Sequence, residues 1–379
     1  METKSPKAPI KQAAANGGTI GDKIGNGLSN GSTEFEVPGD IGEVRVSKLL
    51  IHPVKSCRGI SVQEVKYTPE GLENDRKWCI VDAEKHTVIT AREVSKLVLI
   101  QTRLDVDPSD PHGGRLVITV PMKNGPVVLS VPINPTPDVL KSWPIVSDCT
   151  MFGIFTVDGY IVQPLSSSER SPSDVFSEYV GKNALFLMKG PAARECPPTY
   201  AFPDLKAHSV FQDAYPLLVA SEESLEALSD RIKQAAQIGD DQPGKIGGLN
   251  REIWKDGNIK MERFRPNIVF KGAGVPFAED TWRRVVIVPE DVDPATAGDD
   301  RMFTLIAKCT RCLLPNVDTE TGVRDAAVPF KILMKFRVGL DPTQKNKACF
   351  GCNGVSGGSG TVRVGDRVYV KEWAGEAGV

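Results

Sequence analysis

The chain has 379 residues, enough for about two or three domains of ordinary size. Hydrophobic residues make up 40% and charged residues 25%, and 46 basic against 48 acidic side chains leave a formal net charge of −2. Such a balance gives no long-range pull toward nucleic acid or an anionic membrane, which excludes a bulk polyanion binder. No run of about 18 apolar residues is present, so no membrane-spanning helix is expected. The 35 glycines and 28 prolines favour many turns over a helical bundle.

Residues 1–42 are rich in Gly, Asn, Ser and Lys and nearly free of large apolar side chains. A stretch of that kind cannot bury enough surface to offset the entropy of ordering it, and it reads as a disordered tail. Lysines without an arginine, and acidic residues at Glu2 and Asp22, make a poor mitochondrial presequence. The cytoplasm is the expected compartment, with the mitochondrion as the alternative. From Glu43 the chain turns to short β-rich runs: EVRVSKLLIHPV, VQEVKY, KWCIVDAE, TVITA, KLVLIQTRL, LVITVP, VVLSVP and FTVDGYIV. Val, Ile and Leu punctuated by Pro and Gly at this pitch predict a barrel or sandwich and not alternating βαβ units.

Two helices interrupt the strands. Ser171-Pro172 caps and opens the first, Val175, Phe176, Tyr179 and Val180 form its stripe, and Gly181 stops it. The second is SEESLEALSDRIKQAAQ, with Ser221 as cap, Glu222 and Glu223 at its positive end, and Leu225, Leu228 and Ile232 on one face. Residues 238–257 read as a long surface loop. Strands resume at NIVFKG, WRRVVIVP, MFTLIAKC and ILMKFRVGL and end with TVRVGDRVYV. The fold class is therefore mainly β with α insertions. Its expected division is a tail at 1–42, a β-barrel-like domain at 43–185 and a second β-barrel domain at 186–372.

Eight cysteines are present, at 57, 79, 149, 196, 309, 312, 349 and 352. A secreted disulfide scaffold would be shorter and denser in cysteine, so a reducing, intracellular setting is expected. There, close pairs point to metal or redox chemistry. Cys309-Thr-Arg-Cys312 follows the strand MFTLIA, and the cations Lys308 and Arg311 beside it favour a charged sulfur. Thiolates of this kind select zinc, copper, iron–sulfur or a thiol-ligated molybdenum. Cys349-Phe-Gly-Cys352 is a rival, and together the two pairs could build a four-thiolate zinc site in a non-catalytic β protein. A structural role for both pairs also stays open.

Cations recur at the ends of β-runs: Lys55-Ser56 in IHPVKSCRGI, Asp75-Arg76 before KWCIVD, Arg92 in TAR, and Arg265-Pro-Asn267 before a strand. Lys and Arg at the mouth of a β-structure are well placed to hold a phosphate or an anionic ring edge, and Asn can both donate to and accept from a heterocycle. Each of them alone could equally be a solvated surface residue, and spacing does not bring them together. The histidines at 52, 86, 112 and 208 lack ligand spacing, and Ser359 in GGSG lacks the context of a hydrolase nucleophile.

The segments VSKLLIHPVKSCRGISVQEV, LENDRKWCIVD, TAR, FRPNIVFKG and KCTRCLLPNVDTETG, closed by VGDRVYV, resemble in order the MOSC-domain proteins that carry a MOSC N-terminal β-barrel domain. The resemblance is to the group that contains the mitochondrial amidoxime-reducing component, and it covers residues 44–372. It implies a molybdenum cofactor, Mo-molybdopterin, with Cys312 as the metal ligand and catalytic residue and Cys309 outside the ligand set. It further implies that Lys55, Ser56, Arg76, Arg265 and Asn267 hold the pterin and its phosphate, that Thr310 and Arg311 flank the metal, and that Arg92 assists. The implied reaction is reduction of small N-hydroxylated compounds, amidoximes and hydroxylamines, with the oxygen of the N–O bond passing to molybdenum. Electrons would come from cytochrome b5 and an NADH–cytochrome b5 reductase. A cofactor carrier or sulfur-transfer protein that uses Cys312 without N-reductive turnover is the alternative. The chain departs from the family pattern at Val317-Asp318-Thr319, at Ala214-Tyr215 and at Cys349 and Cys352.

Overall fold

Alternating apolar residues in short runs bounded by turns leave the chain little choice but to pair strands, and the computed structural model follows that pattern. It describes residues 43–375 apart from Ser167 and Asp240; the tail expected at 1–42 lies outside the described residues. Seven strands close on themselves. In spatial order they are Arg45–Ile51, Ile268–Lys271, Leu217–Ser221, Cys349–Ser356, Met302–Thr310, Trp282–Val288 and Arg367–Trp373, which returns to Arg45–Ile51. Neighbours are antiparallel except Leu217–Ser221 and Ile268–Lys271. That parallel pair needs a crossover, and the helix Glu222–Gln237 lies in it.

The barrel is filled from alternate positions: Leu49 and Ile51, Val285 and Ile287, Phe303 and Leu305 all point into one core with Trp282 and Phe270. Residues between them face outward. Leu50 and Val269 are buried on that outer side beneath Leu228, Ile232 and Ala236 of the crossover helix, so these strands are apolar on both faces. The helix begins where its sequence says it should, with the Ser221 hydroxyl accepting from the Ser224 N–H.

The other half is built from a four-stranded and a three-stranded sheet. The first runs Trp78–Asp82, Ala184–Lys189, Phe155–Ile161, Ile145–Met151, and the second Gln101–Val106, Gly114–Met122, Gly125–Pro132. Trp78, Ile80 and Phe186 of one meet Leu116, Ile118 and Val120 of the other in a shared core, closed by the helix Pro172–Val180 through Phe176 and Tyr179. Gly181 ends that helix at φ 83°, a conformation glycine adopts without cost. The mainly-β class with α insertions is what the structure has.

Five segments depart from the sequence expectation. KILMKFRVGL holds the helix Phe330–Phe336 and no strand: Ile332, Leu333 and Phe336 have helical spacing, and the first two are fully buried. KLVL forms the 3₁₀ turn Ser95–Leu99 before the strand begins at Gln101, and TVITA makes only isolated bridges. The loop read at 238–257 contains the short helix Arg251–Trp254. CFGCNGVS, for which sequence gave no strand, is a barrel strand. We propose to keep the sequence boundary between the halves near residue 185, although in space Arg45–Ile51 belongs to the barrel of the later residues.

Register irregularities shape the barrel wall beside the Cys309 pair. Leu305 to Ala307 faces Gly354 to Asn353, an extra residue on one strand; Lys308 to Thr310 faces Cys352 to Cys349, an extra residue on the other. Gly351 sits in the second bulge at φ 74°, and a Cβ there would stand 2.5 Å from the Val219 carbonyl oxygen. Gly351→Ala is therefore expected to lower unfolding stability by about 1–3 kcal/mol in chemical denaturation.

Candidate functional site

The barrel strand Arg45–Ile51 runs on into a turn that touches the other half. Lys55 N–H donates to the Trp78 carbonyl (2.8 Å), Trp78 N–H to that of Pro53 (3.0 Å), and Arg76 N–H to that of His52 (2.8 Å). This stitching brings the turn 52–57 against the turn before Trp78–Asp82. Arg265 and Asn267 enter from the start of Ile268–Lys271, Arg92 from the turn after Thr90, and Thr310, Arg311 and Cys312 from the end of Met302–Thr310. With Lys55, Ser56 and Arg76 from the two stitched turns, these nine line one cavity of about 480 Å³, together with Cys309. The cavity lies at the seam of the two halves.

Backbone conformation marks the same place. Ser56 (φ 69°), Phe152 (φ 59°), Arg76 (φ 48°) and Arg265 (φ 58°) all line the cavity in the left-handed region, which costs a non-glycine residue of order 1 kcal/mol and persists only where surroundings enforce it. The enforcing contacts are visible. Asp75 is buried and accepts from the His52 N–H (2.8 Å) and from Arg76 Nη1 (2.6 and 2.8 Å). Arg76 Nη2 donates to the Arg265 carbonyl (3.0 Å), and Arg265 Nη1 to the Cys57 carbonyl (2.6 Å). Burial alone would raise the Asp75 carboxyl, but Arg76 and His52 outweigh it and hold it at about 2.

Six cationic side chains line the cavity, Lys55, Arg76, Arg92, Arg265, Lys308 and Arg311, against two carboxylates, Asp213 and Asp341. Burial lowers the Lys55 ammonium, partly countered by Asp213, and burial beside Arg76 brings Arg265 down to about 10. Positive charge is thus crowded and poorly hydrated here, although the chain as a whole is slightly negative. Arg265 Nη2 and Arg311 Nε are buried donors without a protein partner. Buried donors are rarely left orphaned, and both belong to residues that line the cavity.

The two thiols of the pair differ. Cys309 Sγ accepts from Arg311 Nη1 (3.1 Å); burial pushes its pKa up while Arg311 pulls it down. Cys312, half-buried, has among the described residues only the Leu314 N–H on its sulfur (3.4 Å) and lines the cavity. Arg311 is held by the Phe264 carbonyl (2.8 Å) and by its own N–H to Ala348 (2.7 Å). Asn267 spends its amide on the backbone, accepting from the Leu218 N–H (3.1 Å) and donating to Leu50 (3.4 Å). Thr310 Oγ1 reaches Gln344 Oε1 at 3.5 Å.

Cys349 and Cys352 do not join them. Register places Cys349 opposite Thr310 and Cys352 opposite Lys308, and the Cys352 thiol points into the barrel, donating to the Glu279 carbonyl (3.4 Å). Burial, with Asp280 and Glu279 nearby, pushes that thiol well above its ordinary range. Among the described residues no group of three or more His, Cys, Asp or Glu side chains is placed to hold a metal, so the shared zinc site is not formed.

Sequence reasoning missed Asp213, which ion-pairs with Lys55 and Arg92 across 158 and 121 positions of sequence. It missed Arg194, whose Nη2 holds the carbonyls of Gln212, Asp213 and Ala214, and Phe152, whose ring lies under Arg92 (4.1 Å) and Lys55 (5.1 Å). No local motif announces them; only the fold assembles them.

Residues 43–145 match the MOSC N-terminal beta barrel domain and residues 206–369 the MOSC domain. The chain is 30% identical to mitochondrial amidoxime-reducing component 1 of Mus musculus, with 86% of this chain and 82% of that protein aligned. It is 30% identical to mitochondrial amidoxime reducing component 2 of Rattus norvegicus and 28% to component 1 of Homo sapiens, over the same shares of both chains.

Asp75 offers a direct check on the frame of the site. Its carboxyl titrates near 3.8 in an unfolded chain and at about 2 in the fold, so it stabilises the protein above pH 4 and that contribution is lost as pH falls from about 4 toward 2. Asp75→Asn is expected to cost about 3 kcal/mol at pH 7 in urea denaturation, with the gap to the unsubstituted protein closing in that acid window.

Proposed function

Because this chain belongs to the MOSC-domain family, with a MOSC N-terminal beta barrel domain and a MOSC domain in one polypeptide, we propose that it is a molybdenum-cofactor-dependent oxidoreductase that reduces N-hydroxylated compounds. The observation that carries this reading is a ligand-ready thiol, Cys312, at the edge of a cavity with surplus positive charge and two unpartnered buried donors, Arg265 Nη2 and Arg311 Nε. Those residues fit a phosphate-bearing pterin whose metal takes a thiolate. When bound, that group supplies the two-electron chemistry at the N–O bond; the protein supplies ligand, orientation and electrostatics.

Cys312 would bind the metal as thiolate, steadied by the Leu314 N–H. Arg265, Lys55 and Arg76 would hold the phosphate and pterin edge, with Ser56 beside them; Arg suits the bidentate contacts and buried Lys55 the point charge. Asn267 would fix the strand entry that presents Arg265 through its two backbone bonds and would offer its second N–H to the pterin edge. Arg311 and Thr310 would flank the metal, and Arg92 would close the outer side through Asp213. Cys309, bonded to Arg311, would orient that guanidinium. In sum, R–NH–OH takes two electrons and two protons and yields R–NH₂ and water. A cytochrome b5 with its NADH-dependent reductase is the proposed electron source.

No helix of the described residues is long and apolar enough to cross a membrane. The names of the relatives favour the mitochondrial alternative over the cytoplasm expected from sequence.

With reduced benzyl viologen and benzamidoxime, Cys312→Ser is expected to lower kcat/KM by at least about 100-fold, and Cys309→Ser by no more than about 10-fold. Equal loss in both variants, with the fold intact, contradicts the ligand assignment. Cofactor bound without turnover in the unsubstituted protein would replace the enzyme with a carrier.

A further inference from the structure

The outer part of the cavity has a chemistry of its own. Its inner wall is cationic, but toward solvent it is lined by Phe152, Ile154, Phe155, Pro198 and Tyr200. Ile154 is 74% exposed and Tyr200 68%, unusual for large apolar side chains standing together at a cleft mouth. Both come from hydrogen-bonded turns. The first joins Ile145–Met151 to Phe155–Ile161, with Phe152 and Gly153 both in the left-handed region and the Ile154 N–H returned to the Met151 carbonyl. The second follows Pro197-Pro198 and is locked by Thr199 N–H to the Phe202 carbonyl (3.1 Å) and Phe202 N–H to Thr199 Oγ1 (3.0 Å).

The two phenylalanine rings are held by cations, Phe152 by Arg92 at 4.1 Å and Lys55 at 5.1 Å, and Phe155 by Arg194 at 4.0 Å. Fixed rings and prolines lose little entropy on binding and offer flat apolar surface. We propose that this apolar porch is the substrate subsite, and that it selects neutral N-hydroxylated molecules bearing a flat aryl group over small aliphatic ones. The assignment rests on the N-reductive reading of the site. An aryl group has rings and prolines to pack against here, and a methyl group makes far less of that contact.

The test uses cofactor-loaded protein and the variant Ile154→Ser/Tyr200→Ser, with Tyr200→Phe as the conservative control. With reduced benzyl viologen, the ratio of kcat/KM for benzamidoxime to that for acetamidoxime is expected to fall about tenfold in the double variant, mostly through KM, and to stay near the unsubstituted value in Tyr200→Phe. Equilibrium binding of benzamide, neutral and without an N–O bond, is expected to weaken about tenfold in calorimetry while circular dichroism stays unchanged. An unchanged ratio with unchanged benzamide binding overturns the subsite. So does a defect seen only when a protein electron donor replaces the dye, which would make the porch a docking surface. Weakened benzamide binding in a protein that reduces no N–O compound would support the porch and remove the function it was assigned to serve.

Discussion

One strand, Arg45–Ile51, holds the site together. It pairs with Ile268–Lys271 on one side and with Arg367–Trp373 on the other, and so closes a barrel whose remaining strands all come after residue 216. Its end continues into the turn bearing Lys55 and Ser56, stitched by backbone hydrogen bonds to the turn of Arg76 in the other half. The same pairing that completes the barrel sets Arg265, at the head of Ile268–Lys271, beside those residues. Closing the sheet and assembling the cationic cavity are one event.

Charge placed this way is costly, and the structure shows how the cost is met. Asp75 neutralises part of it from below and Asp213 part of it from the side, while backbone carbonyls of Cys57, Phe211, Phe264 and Arg265 accept from the buried cations. The donors left over on Arg265 and Arg311 are the part the protein does not satisfy on its own. Both belong to residues that line the cavity, as do the strained Ser56, Arg76 and Arg265, so unsatisfied charge and backbone strain are concentrated in one place.

Much of this was legible beforehand. Period-two runs mark most strands, Ser221 and Gly181 mark helix ends, and the cations at strand ends together with the Cys309 pair point to part of the cavity lining, without Asp213 or Phe152. Their convergence was not, because it depends on which strands pair, and Lys55 and Asp213 are 158 residues apart. At Phe330–Phe336 the structure has a helix where the pattern predicts a strand, because a short apolar run fits a buried strand and a buried helix alike. Cys349 and Cys352 had metal-like spacing, yet a bulge at Gly351 and the barrel core decide where their thiols go. Spacing speaks for a site only when both side chains face the same space.

The most direct measurement is the molybdenum and pterin content of protein made in a host that synthesises the cofactor, by elemental analysis and by fluorescence of the oxidised pterin. The expected result is close to one molybdenum and one pterin per chain, with the metal lost when Cys312 is replaced by serine. Protein from such a host that carries neither, or carries stoichiometric zinc in their place, would contradict the proposed chemistry at its root.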